Sequence, residues 1–288
     1  MVDISRLTAG VNLPARVASK VFADTASSSA FLKATGLQEF SGDGEIFHSF
    51  GQNEAFIVGE TGEKTISNPE VGNIEVTPKK FVVGNTFSDE LVEDHPTLVD
   101  AVINQAPSSI ARKVDSTIAG TSTVTNFTTL GNLSDNEIHD SSDLEGVVGL
   151  LDGAEFGIVL SSTLLSYLRG LRNTNGSKVF EVAVDPTDRT RGTIEGYEYF
   201  VYRSANAEGF VADWNANAVA RQRGGVRVKS RYAGFTPEGS SVDIASLNMI
   251  AVLTEARIGF GVNPLGTPVA KIVRPTTDPD NGGGGVEG

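Results

Sequence analysis

SDELVEDHPTLVDAVINQAPSSIARKVDSTIAG, residues 88–120, carries the strongest periodic signal in the chain. Leu98, Val102, Ala106, Ile110, Val114 and Ile118 fall at every fourth position, and Val99 and Ile103 widen the stripe. Apolar side chains so spaced share one face of a helix, which predicts about six turns at ~3.6 residues per turn. Pro96 suits the first turn, where its missing N–H is not needed, and Gly120 suits the stop. Pro107 sits mid-pattern and is expected to bend the helix, because it removes a hydrogen bond and crowds a carbonyl of the preceding turn.

Upstream of this helix, residues 41–84 read as strand, turn, strand. Ala55 to Val58 lead out, and Ile74 and Val76 alternate with Glu75 and Thr77 on the return, where Pro69 and Pro78 exclude a helix. The excursion has too few apolar residues to pack on its own body. Residues 1–40 read as an arm with one helical piece in ASSSAFLKATGLQEF. Downstream, SSDLEGVVGLL and STLLSYLRGLRN read as helices and GIVLS as a buried strand. Gly196–Tyr202, Phe210–Ala212, Gly225–Tyr232 and Leu247–Val262 read as further strands. No regular βαβ count emerges, so a mixed α+β body is expected rather than a doubly wound sheet. The fold is expected to end near Arg274, with PTTDPDNGGGGVEG as a flexible tail.

The 288 residues are 39% hydrophobic, enough for one large or two smaller cores. There is no cysteine, which removes disulfide frameworks, thiolate metal sites and thiol nucleophiles together, and suits a reducing compartment. The first twenty residues carry Asp3, Arg6, Pro14 and Arg16 and lack the apolar stretch of a signal peptide. No run approaches the ~18 apolar residues of a membrane span, so the expectation is a protein made and used in cytosol, without membrane contact. A net charge of -13 argues against binding nucleic acid with the bulk surface.

The best enzyme lure is AFIVGETGEKT, residues 55–65, which runs from an apolar strand into glycines, a lysine and a threonine as a phosphate loop does. The motif fails in detail. Gly59 and Gly62 are too close, Glu63 stands where the second glycine belongs, and Glu60 adds another carboxylate against a polyanion. The residues that follow, ISNPEVGNIEVTPKK, cannot supply the helix. His48, His95 and His139 lie more than forty residues apart, and no serine stands in a G-x-S-x-G setting. Gly259-Phe260-Gly261 lies inside an apolar β pattern and opens no helix, so it reads as strand packing rather than a dinucleotide turn. No catalytic residue, cofactor site or metal site is assigned.

Charge placement says more. Twelve acids lie from Glu39 to Asp94 against Lys64, Lys79 and Lys80, whereas no acid occurs from Trp214 to Pro237. In GVRVKSRY the alternation places Arg227, Lys229 and Arg231 in a row on one strand face, with Arg221 and Arg223 just before. An acidic excursion and a basic strand in one chain suggest self-association through complementary surfaces. Two solvated faces, or contacts within one subunit, fit the same residues. A basic strand also suits nucleic acid, although little aromatic interleaving is present to stack bases.

The order of these parts resembles the tailed-bacteriophage major capsid protein family, a shell fold shared with encapsulins. The resemblance rests on Gly59-Glu60 on an extended loop, a return strand ending at Pro78-Lys79-Lys80, Ser88 to Asp94, and the long helix Leu98 to Ala119. GIVLSSTLLSYLRGLRN is similar to the family's axial-domain strand and helix. FVADWNANAVARQRGGVRVKSRY and LNMIAVLTEARIGFGVNPLGTPVAKI are similar to its closing strands, so the likeness spans most of 45–274.

That resemblance implies a shell subunit: N-terminal arm 1–40, extended loop 41–85, peripheral domain with its spine helix 86–142, axial domain 143–206, return to the peripheral domain 207–262, closing strand 263–274 and tail 275–288. It implies hexamers and pentamers closing into an icosahedral shell around a double-stranded DNA genome, in a virion assembled in host cytoplasm. Its partners would be copies of itself, with scaffolding, portal and cement proteins. Glu60, Glu63 and Lys64 on the loop, and Arg227, Lys229 and Arg231 on the strand, are the expected subunit contacts. A fused scaffolding domain is not expected, because the chain starts at Met without a long helical extension. Some family members weld subunits through a lysine–asparagine bond; Lys64 lies on the corresponding loop, but Asn248 falls in a strand pattern, so no cross-link is expected. The rival readings are an encapsulin-type compartment enclosing enzyme cargo, and a nucleotide-dependent enzyme using residues 59–65.

Overall fold

The computed structural model describes residues 28–40, 44–50, 70–224, 227–231 and 242–276, with Gly42, Ile57, Asn68, Ala233, Gly234 and Thr236 besides. The described chain forms two compact units and passes between them several times. It opens with α1 (Ala30–Thr35), β1 (Gln38–Glu39), the ribbon strands β2 (Glu45–Phe50) and β3 (Val71–Val76), then β4 (Lys79–Ser88), α2 (Asp89–Asp94) and α3 (Pro96–Ile118). The second unit takes up β5 (Asp135–Glu137), α4 (Ser141–Gly149), β6 (Gly157–Ser161), α5 (Ser162–Gly170), β7 (Val182–Val184), β8 (Arg191–Ile194), β9 (Tyr197–Tyr202), β10 (Glu208–Ala212) and α6 (Trp214–Asn217). β11 (Ala218–Gln222), β12 (Arg227–Arg231) and β13 (Met249–Val262) return to the first, and β14 (Val269–Val273) ends in the second.

In the first unit β13 is the axis of a five-stranded sheet, with β4 antiparallel along one edge and β12 antiparallel along the other. The long helix exists, and α2 precedes it as a separate turn. Ser88 caps α2, accepting from the Leu91 N–H at 3.2 Å, and His95 then leaves the helical region because Pro96 disfavours it for its predecessor. α3 runs on through Pro107. Val99 and Ile103 pack with Phe87, Ile250 and Val252, while Ile110, Val114 and Ile118 are fully buried.

Leu98 does not belong to that stripe: it is 50% exposed. A spacing of four advances ~40° beyond each full turn, so five steps carry Leu98 ~200° from Ile118, and the buried line passes to Val99 instead. Phe31, Phe127 and Phe260 build a second patch, with ring centroids 6.2 Å apart for Phe31–Phe260 and for Phe127–Phe260. Each such fully buried side chain contributes about 1.5–3 kcal/mol.

The second unit is a seven-stranded mixed sheet in the order β5-β14-β10-β6-β9-β8-β7. Val147 and Val148 of α4, and Leu164, Leu165 and Leu168 of α5, close over Ile158, Leu160, Tyr199, Val211 and Ile272. Both helices start on side-chain caps, Asp140 with Asp143 for α4 and Ser161 for α5. The α+β class therefore holds. The expected strand Leu247–Val262 begins instead at Met249, because Asn248 takes a left-handed φ of 50° at the end of the 3₁₀ turn Ile244–Leu247. Apart from Ile57, the expected outgoing strand Ala55–Val58 lies outside the described residues, as do most of the arm and tail. Among the described residues no helix is long and apolar enough to cross a membrane.

Candidate assembly surface

The ribbon β2–β3 is seated by an absence of side chains. A Cβ on Gly259 would lie 2.6 Å from Val76 Cγ1, and one on Gly261 2.6 Å from both Ile74 Cγ2 and Val76 Cγ2. The Gly259-Phe260-Gly261 run is thus strand packing: the glycines admit Ile74 and Val76 on one face of β13, and Phe260 fills the core on the other. Strand alternation then dictates what faces outward. Ile74 and Val76 are buried between exposed Val71, Asn73 and Glu75, and on β2 Ile46, His48 and Phe50 are exposed. His48 Nδ1 and Asn73 Oδ1 pair across the strands at 2.7 Å.

Arg221 pins the start of the ribbon. Its Nε donates to Glu45 Oε2 at 3.2 Å with both side chains largely buried, and its guanidinium lies 4.9 Å from the centroid of the Phe47 ring.

The register of β4, β13 and β12 sets out the basic face. Arg227 stands opposite Glu255, Lys229 opposite Leu253 and Arg231 opposite Ala251, so all three belong to one face of the sheet, as the alternation predicts. On the other edge Glu255 is opposite Val82. Lys80 Nζ reaches Glu255 Oε1 at 2.8 Å, and Lys229 Nζ reaches Glu255 Oε2 at 2.9 Å. One buried carboxylate therefore ties three strands together. The Lys80 ammonium, with Lys229 on the other side, holds the Glu255 carboxyl below the usual range against the opposing effect of burial.

Of the residues singled out by sequence, Lys229 is thus engaged within its own chain, and Arg227 and Arg231 flank it by register. Glu60, Glu63 and Lys64, with the rest of the nucleotide lure apart from Ile57, lie outside the described residues. Glu255 was missed, although it is the one acid in the apolar run MIAVLTEARIGFGV, which is itself a signal of a paired buried charge. Arg221 with Glu45 was missed because the partners are 176 residues apart.

Other chemistry is sparse. His95 sits between α2 and α3, and His139 lies 3.7 Å from Glu137. Among the described residues no three His, Asp or Glu side chains converge to hold a metal. In the second unit a pocket of about 310 Å³ is lined by Asp185, Arg191, Thr193 and Glu198, but Arg191 is already held by Glu198 at 2.7 Å and Asp185 at 3.6 Å.

Residues 9–263 match the phage capsid family. Comparison with curated proteins gives no match. Among solved structures, a chain of Mycobacterium phage Cain is similar with a TM-score of 0.66 at 17% identity, covering 87% of this chain and 92% of that one. A chain of Gordonia phage Cozz has a TM-score of 0.61 at 18% identity, covering 86% of each. A chain from the capsid of an empty GTA particle has a TM-score of 0.63 at 13% identity, covering 86% of this chain and 90% of that one. These likenesses speak for the fold, and the family match speaks for descent. The chain belongs to the phage capsid family and is a structural protein of the bacteriophage capsid.

Proposed function

We propose that the chain is the repeating subunit of an icosahedral shell, assembled as hexamers and pentamers around a double-stranded DNA genome. The observation that carries this reading is the family match over residues 9–263. In it, the first unit serves as peripheral domain with α3 as its spine, the second as axial domain, and β2–β3 as the root of the extended loop. The role is structural rather than catalytic. The acidic excursion, with Glu60, Glu63 and Lys64, lies against the basic sheet face of a neighbouring copy at Arg227, Lys229 and Arg231. Supporting this are the opposite charges of the two stretches and the apolar side chains that the ribbon leaves in water, Ile46 at 61% and Val71 at 55% exposed. A shell subunit of net charge -13 also does not cling to the DNA it encloses. Assembly takes place in host cytoplasm, with scaffolding, portal and cement proteins as further partners.

Cryo-electron microscopy of particles made by the full chain tests this. The reading expects five- and six-membered capsomers in closed shells, and DNA inside particles from infected cells. A protein cargo in place of DNA would favour an encapsulin-type compartment, and capsomers of any other number would refute the assembly.

A further inference from the structure

The two strands of the ribbon differ in how firmly burial fixes them. On β3 the buried face is Gly72, Ile74 and Val76 and the exposed face is Val71, Asn73 and Glu75, so hydrophobic burial and the glycine seat agree. On β2 the pattern runs the other way. Its inward, half-buried face carries Glu45, Phe47 and Ser49, and the Ser49 hydroxyl is buried with no hydrogen-bond partner among the described residues. Its outward face carries Ile46 and Phe50 on either side of His48, with Phe50 68% exposed. A slip of one residue against β3 would turn β2 over. Phe47 would come out, but Ile46 and Phe50 would go in, and Glu45 and Ser49 would return to water. Gly42 and Gly44 stand just before β2 and leave the backbone free to take up that residue. Burial alone thus favours the register that β2 does not adopt.

What opposes the slip is Arg221. Its Nε donates to Glu45 Oε2 at 3.2 Å, its Nη1 donates to Ala220 O at 3.3 Å, and its guanidinium lies 4.9 Å from the centroid of the Phe47 ring. A planar cation that donates in its plane and stacks on its face recognises Glu45 and Phe47 together, a pair that only one register presents. An ion pair held away from water adds little net stability over apolar replacements, and its best-attested use is to select one arrangement over another. The His48–Asn73 bond belongs to the same register, but it is exposed and water replaces it at little cost.

We propose that Arg221 is the register-determining residue of the ribbon: by holding Glu45 and Phe47 inward it keeps Ile46 and Phe50 on the outward face, against the pull of burial, where a second copy of the chain covers them. The choice of register stands on these contacts alone, and the use of the exposed face rests on the shell reading above.

The chain has no cysteine, so single introduced thiols report the register. Ile46→Cys on the outward face and Ser49→Cys on the inward face are each placed in the full chain, with Lys113→Cys on the exposed side of α3 as the reference. Their rates with a disulfide reagent are compared with and without Arg221→Met plus Glu45→Gln. Removing the ion pair is expected to slow the thiol at position 46 and quicken the one at 49, their ratio falling by about tenfold or more, while the reference keeps its rate. Both thiols quickening together, as simple loosening of the ribbon gives, or neither moving, would overturn the proposal. Should that pair of changes fail to fold, Arg221→Gln decides, because the unpaired Glu45 then adds its own drive toward water. The same opposed shifts must appear there, and their absence overturns the proposal.

Without the thiols, the Arg221→Met plus Glu45→Gln chain is expected to remain as folded subunits under conditions where the parent chain assembles. Normal assembly from a slipped ribbon would overturn the use of Ile46 and Phe50 as a contact. A parent chain that never assembles would refute the shell reading instead, and the thiol rates would still decide the register.

Discussion

Lys229 Nζ lies 2.9 Å from Glu255 Oε2 on the adjacent strand, with the Glu255 side chain only 8% exposed. The middle cation of the basic row is therefore part of the sheet's own framework, which separates two effects that a triple reversal would mix. Lys229→Glu would set a second carboxylate beside a buried one and is expected to cost the subunit about 1–3 kcal/mol in denaturant unfolding. Arg227→Gln with Arg231→Gln, which removes both charges without setting a carboxylate opposite Glu255 and leaves Lys229 in place, is expected to keep subunit stability within about 1 kcal/mol while impairing assembly in a sedimentation assay. Normal assembly by that well-folded double variant would remove the basic row from the interface.

Glu255 also gives the sheet an acid sensitivity. Its folded carboxyl titrates below the ordinary 4.5, so the stability it contributes is present above that value and is lost as pH falls through the depressed one. Glu255→Gln is expected to cost about 1–2 kcal/mol near neutrality, a modest figure because Lys80 and Lys229 are partly solvated, and to abolish that part of the acid dependence. Unfolding curves for wild type and variant that stay parallel from pH 7 to 3 would contradict this.

The ribbon seat predicts a coupling. Gly261→Ala brings a Cβ to within 2.6 Å of Ile74 Cγ2 and is expected to cost about 1–3 kcal/mol by overpacking. Adding Ile74→Ala opens room, so the pair should cost less than the sum of the two changes. A strictly additive double-mutant cycle would mean that Ile74 does not rest on Gly261.

Helix phase is open to the same treatment. Ile110→Ala is expected to cost about 2–5 kcal/mol, and Leu98→Ala no more than about 0.5, although both belong to one apparent stripe. Equal losses in thermal unfolding would put Leu98 back in the core.

Much of this was legible because the signals were local. The four-residue spacing of α3, the alternation around Ile74 and Val76, and the strand reading of Gly259-Phe260-Gly261 all follow from periodicities within one element. The phase of α3 at Leu98 was not legible by spacing alone, because the drift of that spacing only matters once the opposing sheet is known. The short strands β5, β7, β8 and β11 hold five residues or fewer, too few to establish a period. Asp115 looked like any polar position of a helix, since its burial is made by Ser29 and Phe31 from a distant segment. The Lys80–Glu255–Lys229 tie was half visible as basic alternation, but its carboxylate sits on a third strand whose register no sequence pattern states.

Whether this chain builds a shell, by itself or with scaffold help, is decided by sedimentation velocity of the purified full chain followed by electron microscopy of the fast fraction. Rapidly sedimenting closed shells with five-fold vertices are expected. A chain that stays folded yet sediments only as a monomer or small oligomer, with and without scaffold, would contradict it.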